Sequence, residues 1–370
     1  MRILLMTTNN VASCSFVLYI IQTPCSLLRT VMKDSISRRN VLKAASALTL
    51  TALATGNWQR AFAADRDTLK VVFPTTETTY QLPYLVAKDT GWFDEHGLDV
   101  EELFVNGDAV AMRSVLSKAA DVTLVGPPTV FQAYANGAKL KYIGSTQPRV
   151  DYQILGSPGI GSVQDLSNRS FASAAPSDMT TEVPRLVIQK HGGDGNKVRF
   201  LQVGGHSARL QALEAGKVDG TMVNTLTSVI GQRGGKVKVL SKVAEEFPDM
   251  GYVLYTGLSD VLDDPARARA LTTFMQGNIY GARLVQNDPD TAARILAKRV
   301  PDLSADILSQ VIKELNSNNV WGLDGGLDES MISFTADILL KWQMIPAAVT
   351  PDAIVDRRFV DEALAALKPA

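Results

Sequence analysis

The chain has 370 residues, 37 Lys and Arg against 38 Asp and Glu, and a formal net charge of −1. With charges balanced and no basic stripe along any segment, nucleic acid finds no electrostatic footing on it. Hydrophobic residues make up 46% of the chain, enough to fill one large core or two medium ones.

The first element in chain order is an export signal. Ser37-Arg38-Arg39-Asn40-Val41-Leu42-Lys43 is a twin-arginine run, 44–54 is a short stretch of small apolar residues, and Ala61-Phe62-Ala63 is a small-x-small site ahead of Ala64. A charged region, an apolar region and an A-x-A site are the three parts of a cleavable signal. Paired arginines with a weakly apolar middle indicate the Tat translocon. The apolar run is about half of the roughly 20 residues that a membrane span requires. A signal of ordinary length starts at Met32, which makes 1–31 an upstream extension. Both cysteines, Cys14 and Cys25, precede the cleavage expected near Ala63. The mature chain then has no disulfide, thiolate nucleophile or cysteine metal site, and the expected location is the periplasm, without a lipid anchor.

Next come alternating strands and helices. The runs 69–73, 98–105, 122–125 and 140–143 read as strands, separated by helical spacing at Leu82, Leu85 and Val86, at Val110, Met112 and Val115, and after Pro127-Pro128-Thr129. Proline fits the first helical turn, where its missing N–H has no partner to lose. The pattern then recurs, with strands at 169–173, 198–203, 220–223 and 237–240 and helices at 182–191 and 207–215. From Pro265 onward the chain reads as helices: 266–286, 289–298, 304–316, 330–342 and 358–367. Such alternation argues for βαβ units and parallel sheets.

The recurrence is also visible residue by residue. Val105 and Gly107 match Val203 and Gly205, and Asp121, Thr123 and Val125 match Asp219, Thr221 and Val223, all at one offset of 98 (105 to 203, 121 to 219). Each block runs strand, glycine turn, helix, acidic turn, strand. The fold expected is therefore α/β, with two similar lobes. Residues 64–151 and 254–370 form the first lobe and 152–253 the second. The segments 150–156 and 252–255 are read as two extended crossovers, a paired hinge, with the C-terminal helices mainly on the first lobe.

Three stretches carry a family resemblance. Pro83-Tyr84-Leu85-Val86-Ala87-Lys88-Asp89-Thr90-Gly91-Trp92-Phe93-Asp94-Glu95-His96-Gly97-Leu98-Asp99-Val100 resembles the opening signature of the SsuA/THI5-like (NMT1/THI5) substrate-binding proteins. Gly159-Ile160-Gly161-Ser162-Val163-Gln164-Asp165-Leu166 is similar to their second-lobe entry, and Leu213-Glu214-Ala215-Gly216-Lys217-Val218-Asp219-Gly220 to their acidic turn. The resemblance runs over about 69–257. It implies a periplasmic-binding-protein fold whose lobes close on a small-molecule ligand, a monomer that docks on an ABC transporter permease. Sulfonates, nitrate, taurine and thiamine precursors are the ligands of that family.

Ligands of open α/β sheets bind beyond the carboxyl ends of the strands. That rule selects four loops: 75–80 with Thr76, Thr78 and Tyr80; 126–129 with Gly126, Pro127 and Thr129; 176–181 with Asp178, Thr180 and Thr181; and Asn224-Thr225. Each precedes a helix, whose free N–H groups suit an acidic or polar ligand group. The same Ser, Thr, Asp and Asn types serve as N-caps, and for any single threonine capping competes equally with ligand contact. Asp121 and Asp219 lie at the opposite strand ends and read as turn residues. Glu77 and Asp178 in two of the loops disfavour a plain anion and favour a ligand with an amine, ring N–H or hydroxyl groups; Arg149 and Arg185 are possible offsets. Trp321 reads as core.

Enzyme readings find little support. His96, His191 and His206 are the only histidines, each beside a turn or helix start, and no H-x-x-x-H, G-x-S-x-G or P-loop occurs. No cofactor motif is present, so no cofactor is expected. THI5-type pyrimidine-synthesis enzymes share the resemblance but are marked by a cysteine-rich motif that this chain lacks. A solute-sensing receptor module is the remaining alternative.

Overall fold

Two five-stranded mixed sheets organise the computed structural model, which describes residues 66–75, 79–176 and 178–367. The export signal and the loop residues Thr76, Glu77 and Thr78 lie outside the described residues. The first sheet holds β1 (Asp67–Phe73), β2 (Leu98–Phe104), β3 (Val122–Val125), β4 (Leu140–Gly144) and β10 (Leu254–Leu258), in the order β2-β1-β3-β10-β4. The second holds β5 (Tyr152–Gly156), β6 (Ser170–Ser173), β7 (Arg199–Gln202), β8 (Gly220–Asn224) and β9 (Lys238–Lys242), in the order β7-β6-β8-β5-β9. The two orders are one topology written twice. In each, three parallel strands are followed by one antiparallel strand, β10 against β3 and β5 against β8.

The offset of 98 in the sequence marks one set of hydrogen bonds made twice. In the first sheet Asp121 Oδ2 accepts the Lys70 N–H at 2.7 Å and Thr123 Oγ1 donates to Val72 O at 2.8 Å. In the second, Asp219 Oδ2 accepts the Ser170 N–H at 2.9 Å and Thr221 Oγ1 donates to Ala172 O at 3.0 Å. Each aspartate closes the entry of a strand and each buried threonine ties two parallel strands. These residues recur because the ladder has the same gaps to fill in both lobes.

Side-chain alternation along the strands feeds a core on each sheet face. In β5, Ile154 joins Phe171, Val183 and Val187 on one face, while Leu155 joins Leu210, Leu213 and Val223 on the other. The first lobe has a larger core because the C-terminal helices cover it. The long helix Pro265–Asn287 lies against the helix Leu82–Asp89 at backbone distance: a Cβ on Gly281 would fall 1.9 Å from Pro83 O. Acidic and hydroxyl N-caps start these helices, as at Asp264, whose side chain accepts from Ala266 and Arg267 N–H, and at Asp288, Ser304 and Asp328.

Two C-terminal helices also touch the second lobe. Helix Ala305–Ser317 contacts helix Thr225–Arg233, and its Glu314 forms an ion pair with Lys242 at the end of β9. Thr335 of helix Glu329–Lys341 accepts the Gly251 N–H at 2.7 Å.

The crossovers differ in detail from the expected paired strands. Residues 152–156 and 254–258 are strands, but each belongs to a separate sheet. Pairing between the crossing segments is confined to a single antiparallel bridge, Arg149 to Gly251, with the Tyr252 N–H donating to Pro148 O at 2.8 Å. Pro148 has no N–H with which to lengthen that ladder.

Candidate functional site

The carboxyl ends of the strands in both sheets border one cleft of about 780 Å³. Five residues expected from the sequence line it: Tyr80, Gly126, Pro127, Thr129 and Asn224. Asn224 is also an N-cap, its Oδ1 accepting the Thr227 N–H at 3.0 Å. The helix starting at Pro127 has a glycine N-cap with no side chain to close its first turn.

Asp178, Thr180 and Thr181 stand apart from this lining. Asp178 is the N-cap of helix Met179–Lys190, and its Oδ1 accepts from the Thr180 N–H and Thr180 Oγ1 at 2.8 and 2.6 Å. Thr180 Oγ1 in turn accepts the Ala174 N–H at 2.7 Å, and Thr181 Oγ1 donates to Ala175 O at 2.9 Å. Both threonines are buried. Of the two roles open to such residues, these three fill the capping one, and Met179 between them is the residue that reaches the cleft.

Several lining residues carried no signal in the sequence. Tyr152, at the start of β5, and Tyr252, in the returning crossover, pack edge to face with ring centres 5.5 Å apart. Tyr252 meets Tyr80 at 5.8 Å, and Tyr152 meets His206 at 5.5 Å. Four rings from both lobes thus run in a chain along the cleft, a flat-walled surface suited to an apolar or aromatic ligand body. Burial pushes the Tyr152 hydroxyl up to about 12, with the Asp151 carboxylate adding to the effect, and burial drives Tyr252 further above the usual phenol range. Both are therefore neutral at physiological pH.

His206 begins the helix His206–Glu214. Its Nδ1 accepts from the Asn224 N–H and lies within hydrogen-bond reach of the Arg209 guanidinium, both at 3.1 Å. Burial first, and then the Arg209 charge, hold its pKa down at about 3. The ring is neutral at pH 7, with its proton on Nε2. His96 and His191 do other work: His96 stacks on Trp92 with ring centres 3.7 Å apart, and His191 pairs with Glu246 at 2.7 Å. Trp321 is buried, its Nε1–H donating to Asn316 Oδ1 at 2.6 Å, as a core residue.

Asp108 also lines the cleft, at the start of helix Asp108–Leu116. Its Oδ2 accepts the Gly126 N–H at 3.0 Å, and burial raises its pKa above the usual carboxylate value against that bond. At the crossover, Asp151 is 2% exposed and neither carboxylate oxygen has a hydrogen-bond partner. The neighbouring Gln147 is fully buried, and its Oε1 is likewise unpartnered.

Among the described residues, no three His, Cys, Asp or Glu side chains gather to hold a metal ion, and no helix is long and apolar enough to cross a membrane. The site offers hydroxyls, helix N-termini, rings, the carboxylates of Asp108 and Asp302, and the Arg299 guanidinium, which pairs with Asp89, around a solvent-accessible space. That set binds and orients a small molecule.

The model of the NMT1/THI5-like family matches residues 78–292, more than half of the chain. YtlA of Bacillus subtilis (strain 168), assigned as a binding protein, is 21% identical over 300 residues, covering 79% of this chain and 88% of YtlA. The ligand-binding component of an ABC-type import system from Staphylococcus aureus, solved with zinc bound, is 15% identical with a TM-score of 0.65, covering 80% of this chain and 99% of that one. The periplasmic aliphatic sulphonate binding protein SsuA of Escherichia coli is 15% identical with a TM-score of 0.63, covering 79% and 92%.

Proposed function

The chain belongs to the NMT1/THI5-like family and has the periplasmic binding protein fold, and from that premise we propose that it is the solute receptor of an ABC importer. It captures a small organic solute, of sulfonate, aromatic-acid or pyrimidine-like type, in the interlobe cleft, and does so without chemical conversion. The observation that carries this reading is the cleft itself. Its walls come from the equivalent strand ends of two equivalent lobes, and its rings come from the first lobe, the second lobe and a crossover between them. A site divided in this way is completed only when the lobes approach.

The mechanism follows from that division. Residues 64–151 with 254–370 move as one body and 152–253 as the other. The narrow pairing at Arg149–Gly251 lets the two segments between them flex. A solute held on one lobe gains contacts from the other as the lobes close. Closure is favoured only to the extent of those added contacts. The closed surface then docks on a permease. In this reading the receptor is exported by the Tat translocon, cleaved near Ala63, and works in the periplasm as a monomer.

A thermal-shift screen over sulfonates, aromatic acids, pyrimidines and nitrate tests the reading. A solute at a hundredfold its Kd stabilises the folded chain by about 2.7 kcal/mol, a rise of several degrees. Replacing Thr129 by Val should weaken the effect with little change in the melting point of the free protein. If no solute raises the melting point, and one is converted to product by the purified protein, solute capture is the wrong function.

A further inference from the structure

Resting on the proposed solute site, a second reading concerns what kind of solute fits it. The cleft is built twice from one template, and the two copies carry unlike charges. Asp108 is the first residue of its helix, and its carboxylate accepts the Gly126 N–H at 3.0 Å. At the equivalent place in the second lobe, His206 is the first residue of its helix and its Nδ1 accepts the Asn224 N–H at 3.1 Å. Donor and acceptor are 18 residues apart in both cases. All four residues line the cleft.

What stands beside each anchor differs. Asp108 presents a carboxylate with one oxygen bonded and no cation paired with it among the described residues. His206 is backed by Arg209, which is 2% exposed. The Arg209 guanidinium bonds to Met222 O at 3.1 Å, to Gly204 O, and to His206 Nδ1 at 3.1 Å. None of these partners is charged; the Asp178 carboxylate acts on the Arg209 charge from beyond ion-pair distance, its Oδ1 engaged by the Thr180 N–H and hydroxyl. The first lobe has Ala111 at the matching position (111 to 209, the same offset of 98). In front of Arg209, the amides of Ser207 and Ala208 open a helix whose N-cap, Gly205, has no side chain to close them.

A lone anion in this cleft would gain from Arg209 and face the Asp108 carboxylate. A lone cation would gain from Asp108 and face Arg209. Charges removed from water without a partner are costly, so the solute of lowest cost supplies both. We infer that the ligand is a small zwitterion, with an ammonium, amidinium or similar N–H donor end on Asp108, an acid end toward the Ser207–Ala208 amides and His206 Nε2–H, and a body lying along the Tyr80, Tyr152 and Tyr252 rings.

Matched probes test this by isothermal titration on the full protein: 4-(aminomethyl)benzoate, 4-methylbenzoate and 4-methylbenzylamine, with 5-aminopentanoate, pentanoate and pentylamine as an aliphatic set. In at least one set the zwitterion should bind tenfold or more tightly than either singly charged analogue. Asp108→Asn keeps an oxygen for the Gly126 N–H; it should erase that advantage over the acid while leaving the melting curve near that of the parent. Arg209→Gln, which removes charge but retains hydrogen-bonding capacity, should erase the advantage over the amine. An acid, an amine or a neutral solute that binds as well as the zwitterion, or Asp108→Asn without effect on it, overturns the inference while solute capture stands. If every probe and every solute of the wider screen fails to bind, both readings fall.

Discussion

At the scale of single residues, Asp151 is the group most at odds with its surroundings. It is almost fully buried with both carboxylate oxygens unpartnered. Burial raises its pKa to about 6 despite the nearby Thr225 and Asp151 amides and the Gln147 side chain, whereas an unfolded aspartate titrates near 4. The folded chain therefore takes up the proton first. The stability gained this way is complete below about pH 4 and is lost as the pH rises through 6. Asp151→Asn is neutral at every pH, so it should exceed the parent at pH 8 by up to about 3 kcal/mol and match it at pH 3.5. Melting curves at the two pH values check this. A variant less stable than the parent at pH 8 would mean that the ionised carboxylate is held by a favourable partner. His206 titrates in the opposite sense. Its folded pKa of about 3 lies below the ordinary value of 6.5, so its contribution is complete above pH 6.5 and is lost as the pH falls toward 3.

The residue scale is also where the sequence was least legible. Tyr152 and Tyr252 read as ordinary strand residues, and nothing local shows that a crossover brings them together. His206 reads as a helix start, which it is, and Asp108 drew no reading at all although it starts a helix too; their place in the cleft comes from the fold of two lobes around it. Thr180 and Thr181 illustrate the converse. A hydroxyl ahead of a helix has the same sequence signature whether it bonds a backbone or a ligand, and here the bonds to Ala174 and Ala175 take both.

At the scale of elements, the reading from sequence was closer, because strand periodicity and turn chemistry are local. The repeated Asp and Thr were visible at a constant offset since each makes the same backbone bond in both sheets. The course of the C-terminal helices was less visible. Their amphipathic spacing shows a buried face but not which lobe receives it, and helix Ala305–Ser317 reaches across to helix Thr225–Arg233. The closest helix contact depends on two glycines of Pro265–Asn287. A Cβ on Gly277 would lie 2.3 Å from Phe93 Cε1, and one on Gly281 would lie 1.9 Å from the Pro83 carbonyl oxygen. A ring can turn aside, but a helix backbone cannot move without its core. Gly281→Ala should therefore destabilise by about 3 kcal/mol or more, and Gly277→Ala by less, as read from denaturant midpoints. Equal and small effects at both positions would show that the two helices separate freely.

At the scale of the whole molecule, one topology used twice explains both the fold and the cleft. Two sheets of equal strand order present their carboxyl ends to a shared space, and short crossovers join them. The lobes are not bound only through those crossovers. The Lys242–Glu314 pair and the Gly251–Thr335 bond tie C-terminal helices to the second lobe or to the crossover. Under the proposed mechanism, contacts of that kind set the balance between open and closed forms, and a solute shifts it.

The distance between the lobes, followed with and without solute, tests the central claim most directly. Ser117 and Lys217 are exposed on different lobes, and a Ser117→Cys, Lys217→Cys pair carries the labels. The account predicts that a solute found in the thermal-shift screen changes the label separation saturably, at the same concentration that raises the melting point. Dialysis should then restore the original separation and return the solute unchanged. A separation that stays fixed while solute binds, or a solute recovered as a different compound, would contradict capture between closing lobes.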